Sequence, residues 1–182
     1  LLALIEKVEG HKQIRIQPLI FSKLEKALQE EEISRLTRST HMPELNLKAS
    51  LYPYQEEGVK FSLFKPAALI GDEMGLGKTL QAIALAILKQ EVFDFKKVLV
   101  VTLASLKEQW KREIERFSEQ QAVIVEGPPQ KRQALYEDNG AYFKITNYEA
   151  VLRDTMVLSR FKPDFIILDE AQRIKNFSTK TA

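Results

Sequence analysis

Glycine is concentrated in one short stretch of the sequence, immediately ahead of a lysine and a threonine. Three of the seven glycines lie within positions 71–77, and Lys78 and Thr79 follow them directly. Glycines at this spacing let backbone N–H groups turn toward an anion, because no Cβ obstructs the loop. A lysine there can reach the β- and γ-phosphates of a nucleotide, and a threonine hydroxyl can bind Mg²⁺. The pattern predicts a phosphate-binding loop, and the alternative is a glycine-rich surface turn before a helix.

A pair of acidic residues supplies the second half of the predicted chemistry. Asp169 and Glu170 come directly after the apolar run 165–168. An aspartate at the end of a strand can hold Mg²⁺ through water, since this ion dehydrates reluctantly. The neighbouring glutamate can orient and deprotonate an attacking water molecule. Together with the phosphate loop, the pair predicts hydrolysis of a magnesium nucleotide, and the alternative is a pair that only caps the following helix.

Both motifs stand at the ends of predicted strands. From residue 45 onward, short apolar runs alternate with helical patterns, which is typical of βαβ units and a mostly parallel sheet with helices on both faces. Ligands bind at the carboxyl ends of the strands in such α/β sheets, where the phosphate loop and the acidic pair lie. The predicted strands are 67–70, 98–101, 123–125, 142–146 and 165–168, and the predicted helices are 80–88, 106–117 and 130–137.

Composition excludes several other kinds of site. The chain has no cysteine and two histidines, so a disulfide framework, a thiolate metal site and a cysteine nucleophile are excluded, and a histidine-rich metal site is not expected. The net charge of +2 does not by itself predict nucleic-acid binding. No apolar run reaches the roughly 18 residues of a membrane span. The chain begins at Leu1 and ends at Ala182 without a recognisable signal, so we expect a piece of a longer protein.

Three segments together resemble the Swi/Snf branch of the superfamily 2 helicase-like ATPases. The Asp-Glu-Met-Gly-Leu-Gly-Lys-Thr form of the phosphate loop is characteristic of that branch, and it accounts for Asp72, where the general pattern has glycine. The resemblance covers residues 45–182 and implies a first RecA-like P-loop NTPase lobe, incomplete at its C-terminus. Residues 1–44 form a flanking segment of unknown role. The three segments are Leu51–Gly58, Gly71–Thr79 and Asp169–Asn176.

The resemblance also assigns roles to individual residues, with ATP and Mg²⁺ as cofactors. Lys78 and Glu170 are implied as catalytic, Thr79 and Asp169 as the Mg²⁺ site, and Gln55 as the contact to adenine. Leu103 stands where the family usually has proline, and Trp110 is expected in the core. The remaining nucleotide-binding residues are Met74, Gly75, Leu76, Gly77 and Leu80, and the residues implied to contact DNA are Thr102, Ser105, Thr146, Asn147 and Tyr148.

The function implied by the resemblance is a DNA-dependent ATPase that translocates on double-stranded DNA without separating the strands. Contacts of this kind go mostly to phosphate and carry little sequence information. A second RecA-like lobe of the same full-length chain would supply arginines, so this chain alone is expected to bind Mg·ATP weakly with negligible turnover. The Asp-Glu-Ala-Gln form of the acidic segment resembles that of bacterial members, so we expect a bacterial, cytoplasmic, nucleoid-associated protein. No membrane partner is expected, because the apolar runs are too short to span a membrane.

Two alternatives to this function are open at the level of the sequence. One is the motor lobe of another superfamily 2 enzyme, of the restriction-enzyme or RNA-helicase type, because these share the phosphate loop and the acidic pair. The other is a nucleotide-dependent binding scaffold without turnover. The presence of Lys78, Thr79, Asp169 and Glu170 favours hydrolysis over a scaffold, which could lose these residues.

Overall fold

A parallel four-stranded sheet forms the centre of the structure, a computed structural model that describes residues 46–73 and 75–174, with backbone only at positions 173 and 174. The strand order is β2-β3-β1-β4, and every neighbouring pair is parallel. The predicted flanking segment 1–44 and its boundary lie outside the described residues and stay a prediction. The strands are β1 (Val98–Thr102), β2 (Ala122–Ile124), β3 (Phe143–Asn147) and β4 (Phe165–Leu168).

Helices cover both faces of this sheet, as the sequence predicted. Helices α2 and α3 pack on one face, α4, α5 and α6 pack on the other, and α1 lies against the outer side of α2. No helix in the described part of the chain combines the length and the apolar character needed to cross a membrane. The helices are α1 (Pro53–Leu63), α2 (Lys78–Phe93), α3 (Lys107–Phe117), α4 (Pro129–Glu137), α5 (Tyr148–Arg153) and α6 (Thr155–Phe161), with short 3₁₀ helices at Ala104–Leu106 and Ala171–Ile174.

Strand β1 shows why its sequence is apolar without alternation. All five of its residues are buried. Val98 and Val100 face the core beneath α2 and α3, whereas Leu99 and Val101 face the opposite core beneath α4 to α6. A strand with a helical layer on each face has no side that can be polar. The three-layer α/β architecture predicted from the sequence is therefore confirmed.

Helix α2 is buried on two sides for a similar reason. Ile83 and Ile87 pack into the sheet core, while Leu85 and Leu88 pack against α1. Such a helix lies between two layers and has little solvent-facing surface, which matches its nearly all-round apolar sequence. Its buried position fixes where its first turn lies, and the predicted phosphate loop leads directly into that turn.

The predicted strand at 67–70 is wrong. This segment pairs with no strand within the described residues, and Leu69 is 85% exposed. Strand β4 lies at the edge of the sheet, where Ile166 is 50% and Leu168 is 45% exposed. An apolar run shows that a segment is suited to burial, but a strand also needs a neighbour that pairs with its N–H and C=O groups. The apolar run at 67–70 lacks such a neighbour here.

A buried ion pair joins the helices on one face of the sheet. Arg132 of α4 donates from Nε to Asp154 Oδ2 at 2.9 Å and from Nη2 to Asp154 Oδ1 at 2.6 Å. Its Nη1 donates to the backbone oxygen of Gly127 at 2.6 Å. Both side chains are buried, and hydrogen bonding to Asp154 raises the pKa of Arg132. Because Asp154 lies between α5 and α6, the pair ties α4 to both helices.

Candidate nucleotide site

The junction between the glycine-rich loop and α2 leaves backbone donors available. Gly75 and Gly77 have φ angles of 86° and 71°, in the left-handed region that favours glycine. Helix α2 begins at Lys78, and its first backbone bond runs from Gln81 N to Gly77 O at 3.1 Å. The first N–H groups of a helix have no acceptor within it, and here the N-cap supplies no side-chain hydrogen bond. The junction is therefore suited to an anion.

Helix α1 fixes the position of the loop through Gln55. This side chain is 3% exposed and donates from Nε2 to Leu76 O at 3.1 Å. Its Oε1 accepts a hydrogen bond from Tyr52 N at 2.9 Å, and Tyr54 donates from its hydroxyl to the same Leu76 oxygen at 3.2 Å. A Cβ at Gly77 would lie 2.4 Å from Gln55 Nε2. The Gln55 amide thus contacts the loop itself, and its contact to adenine stays a prediction.

Asp72 has a structural partner that explains its presence in the loop. Gln81 of α2 donates from Nε2 to Asp72 Oδ2 at 2.7 Å. Gln81 is 1% exposed, so its amide needs a partner inside the protein. The bond ties the start of the loop to the helix that follows it. Gln81 was missed at the level of the sequence, although a polar residue in an otherwise apolar helix was a usable signal.

The ammonium of Lys78 lies against the backbone of its own loop. Nζ donates to the backbone oxygens of Asp72 at 2.8 Å and of Glu73 at 2.9 Å. Thr79 and Leu80, in the same first turn of α2, are half-buried. These contacts place the positive charge beside the glycines, where a phosphate would need it. Met74, also predicted to bind nucleotide, lies outside the described residues.

A second cluster surrounds Asp169 at the end of β4. Asp169 N donates to Val101 O at 2.9 Å, which extends the parallel pairing of β4 with β1 by one residue. The carboxylate oxygen Oδ2 accepts a hydrogen bond from Thr102 Oγ1 at 2.8 Å and another from Trp110 Nε1 at 2.8 Å. The Tyr148 hydroxyl donates to the backbone oxygen of Asp169 at 2.6 Å. Groups from two other elements, β1 and α3, therefore orient this carboxylate, and a group from α5 holds the backbone oxygen of the same residue.

Glu170 differs from Asp169 in both exposure and backbone. Its side chain is exposed, and its φ of 54° lies in the left-handed region. Gln172 Nε2 donates to Glu170 Oε2. In the described part of the chain, no three His, Cys, Asp or Glu side chains come together as a ready-made metal site. Any metal ion here would need ligands from its own nucleotide or from water in addition to protein groups.

The side chains expected to contact DNA divide into two groups. Thr102 and Thr146 are fully buried and Tyr148 is 6% exposed, so these three do not present hydroxyls at the surface as expected. Their strands and helix pack them inward, and Thr102 and Tyr148 contact Asp169 instead. Ser105 is exposed and Asn147 is half-buried, and both remain accessible. The expectation that Trp110 is a core residue is confirmed, because this residue is 5% exposed.

The family model of the SNF2-related domain matches residues 54–182, a range that contains the loop, α2, the whole sheet and the acidic pair. The chain belongs to the SNF2-related family. The resemblance noted from the sequence is confirmed, and the RecA-like fold is confirmed with it.

Proteins from distant organisms are similar to this chain. Helicase SWR1 of Debaryomyces hansenii is 35% identical over 160 residues, which is 82% of this chain and 10% of the relative. An ATP-dependent helicase of Mycoplasma pneumoniae is 36% identical over 137 residues, 71% of this chain and 13% of the relative. The Sulfolobus solfataricus SWI2/SNF2 ATPase core, solved in complex with dsDNA, is 32% identical with a TM-score of 0.67.

The SNF2-related chain described here spans a small part of these proteins. It covers 10% of the Debaryomyces hansenii relative. The match to the Sulfolobus solfataricus structure covers 77% of this chain and 30% of that chain. Family membership and fold are therefore established for the chain itself. The roles of individual site residues stay predictions that rest on the geometry above.

Proposed function

We propose that this chain is the ATP-binding lobe of a DNA-dependent ATPase that translocates on double-stranded DNA. The observation that carries the proposal is the junction of the loop and α2, where Gly75, Gly77 and Lys78 present backbone donors and an ammonium at one point. Membership of the SNF2-related family supports it, as do relatives named as helicases and a solved relative bound to dsDNA.

The residues of the site fit a magnesium nucleotide. Gly77 has a positive φ and lies where a Cβ would collide with the Gln55 amide, so the loop keeps this conformation against α1 only with glycine there. The N–H groups of the loop and of the first turn of α2, with Lys78, would hold the phosphates. Thr79 and Asp169 would hold Mg²⁺, which neutralises phosphate charge when bound.

Glu170 is the residue we assign to water activation. Its exposed carboxylate belongs to the next residue after Asp169. Asp169 would hold the metal, and Glu170 would act on the attacking water beside it. The carboxylate would accept a proton from water, and Gln172 would orient the oxygen that it already contacts. Lys78 would stabilise negative charge on the phosphates as the bond between the γ-phosphoryl group and the departing ADP breaks.

The DNA-facing edge in this proposal is the carboxyl end of the sheet. Thr102 of β1 pairs with Asn147 of β3, so the ends of these strands lie side by side. Ser105 and Asn147 carry accessible polar side chains there, and they would contact phosphate rather than bases. Any Lys or Arg that joins them would make binding weaken as salt rises.

The rest of the full-length protein is also part of the proposal. A second RecA-like lobe would supply arginines to the transferred phosphoryl group, an effect on the order of 10³–10⁵ in rate in other NTPases. The cytoplasmic, nucleoid-associated bacterial location stays a prediction, since the relatives include proteins from Debaryomyces hansenii and Mus musculus as well as Mycoplasma pneumoniae.

Loss of the Lys78 ammonium is expected to weaken nucleotide binding. Replacing Lys78 by alanine removes charged hydrogen bonds to phosphate worth about 1.5–3 kcal/mol, or roughly 10- to 150-fold in affinity. Isothermal titration of this chain with Mg·ADP measures the change, with circular dichroism to check folding. Lys111→Ala, which removes an exposed lysine of α3, is the matched control and should bind as the parent chain does. Equal affinity of the two variants would reject the phosphate loop.

Turnover is expected from the full-length protein and not from this chain alone. A phosphate-release assay should show negligible hydrolysis by the 182 residues with or without DNA, because the arginines of the second lobe are required. The full-length protein should be stimulated by duplex DNA. Stimulation by RNA alone would favour an RNA-helicase motor, and tight nucleotide binding with no turnover would favour a scaffold.

A further inference from the structure

We infer that Thr102 and Trp110 are positioning residues, which orient the Asp169 carboxylate for Mg²⁺ and connect it to the surface turn Leu103–Leu106. The inference rests on the proposed function and assigns new roles to two residues. Thr102 was expected at DNA, and Trp110 was expected only as part of the core. Both instead donate to Asp169 Oδ2 at 2.8 Å.

The indole N–H of Trp110 has a specific acceptor, the Asp169 carboxylate, inside the core. The side chain is 5% exposed, and a buried indole N–H that lacks a partner is costly. Its acceptor is a carboxylate 59 positions away along the chain. Phenylalanine would fill much of the same space without the donor, so packing alone does not explain a tryptophan here.

Two hydrogen-bond donors on one oxygen of the Asp169 carboxylate leave the other oxygen available for a ligand. The hydroxyl of Thr102 and the indole of Trp110 both contact Oδ2, and neither contacts Oδ1. Donors at Oδ2 fix the rotation of the carboxylate plane, and Oδ1 is the oxygen that we assign to the water shell of Mg²⁺. Groups that orient a metal-binding carboxylate in this way typically change metal affinity by about 10- to 100-fold when removed.

The same two residues bracket the turn Leu103–Leu106. Thr102 ends β1, and Trp110 lies one helical turn into α3, so the accessible Ser105 sits between them in the chain. The turn is short and closed by a backbone bond from Leu106 N to Leu103 O at 2.9 Å. Leu106 also packs against the core cluster that contains Trp110. A displacement of the turn by DNA phosphate would therefore move the donors at Oδ2.

The second accessible segment reaches Asp169 as well. Asn147 ends β3, and the next residue, Tyr148, donates from its hydroxyl to the Asp169 backbone oxygen at 2.6 Å. The segments that carry Ser105 and Asn147 thus both contact Asp169. The contacts give DNA binding a short physical route to the metal carboxylate.

Thr102→Val tests the positioning role because it keeps the shape of the side chain and removes the hydroxyl. In this chain, titration of Mg²⁺ into the ADP-bound protein is expected to show about 10- to 100-fold weaker Mg²⁺ affinity. Affinity for ADP without Mg²⁺ should stay unchanged, since the phosphate loop is intact. Thr102→Ser, which keeps a hydroxyl, should restore most of the Mg²⁺ affinity. Thr155→Val, at an exposed threonine of α6, is the matched control.

Fluorescence gives a readout that does not depend on activity. The chain contains a single tryptophan, so intrinsic emission reports on Trp110 and its contact with Asp169. Addition of Mg²⁺ to the ADP-bound chain should shift this emission, and Thr102→Val should move the midpoint to higher Mg²⁺. Trp110→Phe, followed by calorimetry, should weaken Mg²⁺ binding to a similar degree.

The outcomes separate this inference from the proposed function. Normal ADP binding with unchanged Mg²⁺ affinity in both Thr102→Val and Trp110→Phe overturns the positioning role and leaves the nucleotide site standing. Absence of any ADP binding by the parent chain removes the proposed function and the inference with it. In the full-length protein, Trp110→Phe should lower the ratio of DNA-stimulated to basal hydrolysis. An unchanged ratio overturns the connection to the turn.

Discussion

Glu170→Gln is expected to lower ATP hydrolysis by the full-length protein by a factor on the order of 10²–10⁴, the usual contribution of a general base. The amide has nearly the size of the carboxylate but cannot accept a proton from water. Nucleotide affinity should stay close to that of the parent, because the phosphate loop and Asp169 are unchanged. Steady-state hydrolysis with saturating duplex DNA, together with calorimetric binding of Mg·ADP, measures the two effects separately.

The matched control for this change is Glu137→Gln. Glu137 is an exposed glutamate of α4 that accepts a hydrogen bond from Gln133 Nε2 at 2.8 Å, much as Glu170 accepts one from Gln172. The control should hydrolyse ATP at the parent rate. Hydrolysis that survives in Glu170→Gln at the level of Glu137→Gln would show that another group activates the water.

Asp154→Ala is expected to destabilise the fold by about 3–5 kcal/mol, the usual cost of breaking a buried ion pair by removing one partner. The change leaves the Arg132 guanidinium buried without its carboxylate partner, and it releases α4 from the junction of α5 and α6. The free energy of unfolding of this chain in urea, followed by circular dichroism, measures the loss. Because the pair lies on the face of the sheet opposite α2, nucleotide affinity of the folded fraction should be retained.

Two comparisons make the Asp154 prediction specific. Glu115→Ala breaks an exposed pair with Lys111, whose N···O distance is 3.9 Å, and should cost less than about 1 kcal/mol. The double change Arg132→Met with Asp154→Leu should recover much of the stability, since it removes both buried charges together. A loss in Asp154→Ala no larger than that in Glu115→Ala would mean that the buried pair is not what ties these helices together.

Much of the architecture was predictable because it depends on local apolar patterns. Four of the predicted strands are confirmed with shifts of about one residue, and helices α2, α3 and α4 are confirmed as well. Helices α1, α5 and α6 were not predicted. Helices α5 and α6 have six and seven residues, which is too short for a 3.6-residue period to show clearly. The failure at 67–70 has a different cause, since pairing depends on a neighbour that no local pattern reveals.

The site was predictable in its motifs and not in its contacts. Glycine spacing and the acidic pair point to the phosphate loop and to Asp169 without any structure. The bond between Thr102 and Asp169 joins residues 67 positions apart, and only the register of β1 with β4 brings them together. Resemblance assigned Thr102 to DNA because it lies in a segment similar to a DNA-contacting motif of the family, whereas burial directs its hydroxyl inward. Long-range hydrogen bonds of this kind have no signature in the sequence.

At position 170 the backbone conformation and the proposed chemistry favour different residues. A φ of 54° costs a residue with a Cβ about 1–2 kcal/mol, and glycine or asparagine would adopt it with less penalty. Neither of those residues can accept a proton as the carboxylate does. Selection of variants for thermal stability alone would therefore favour exchange of this glutamate, and it would remove the group that we propose for water activation. Stability-guided engineering of the chain should hold position 170 constant.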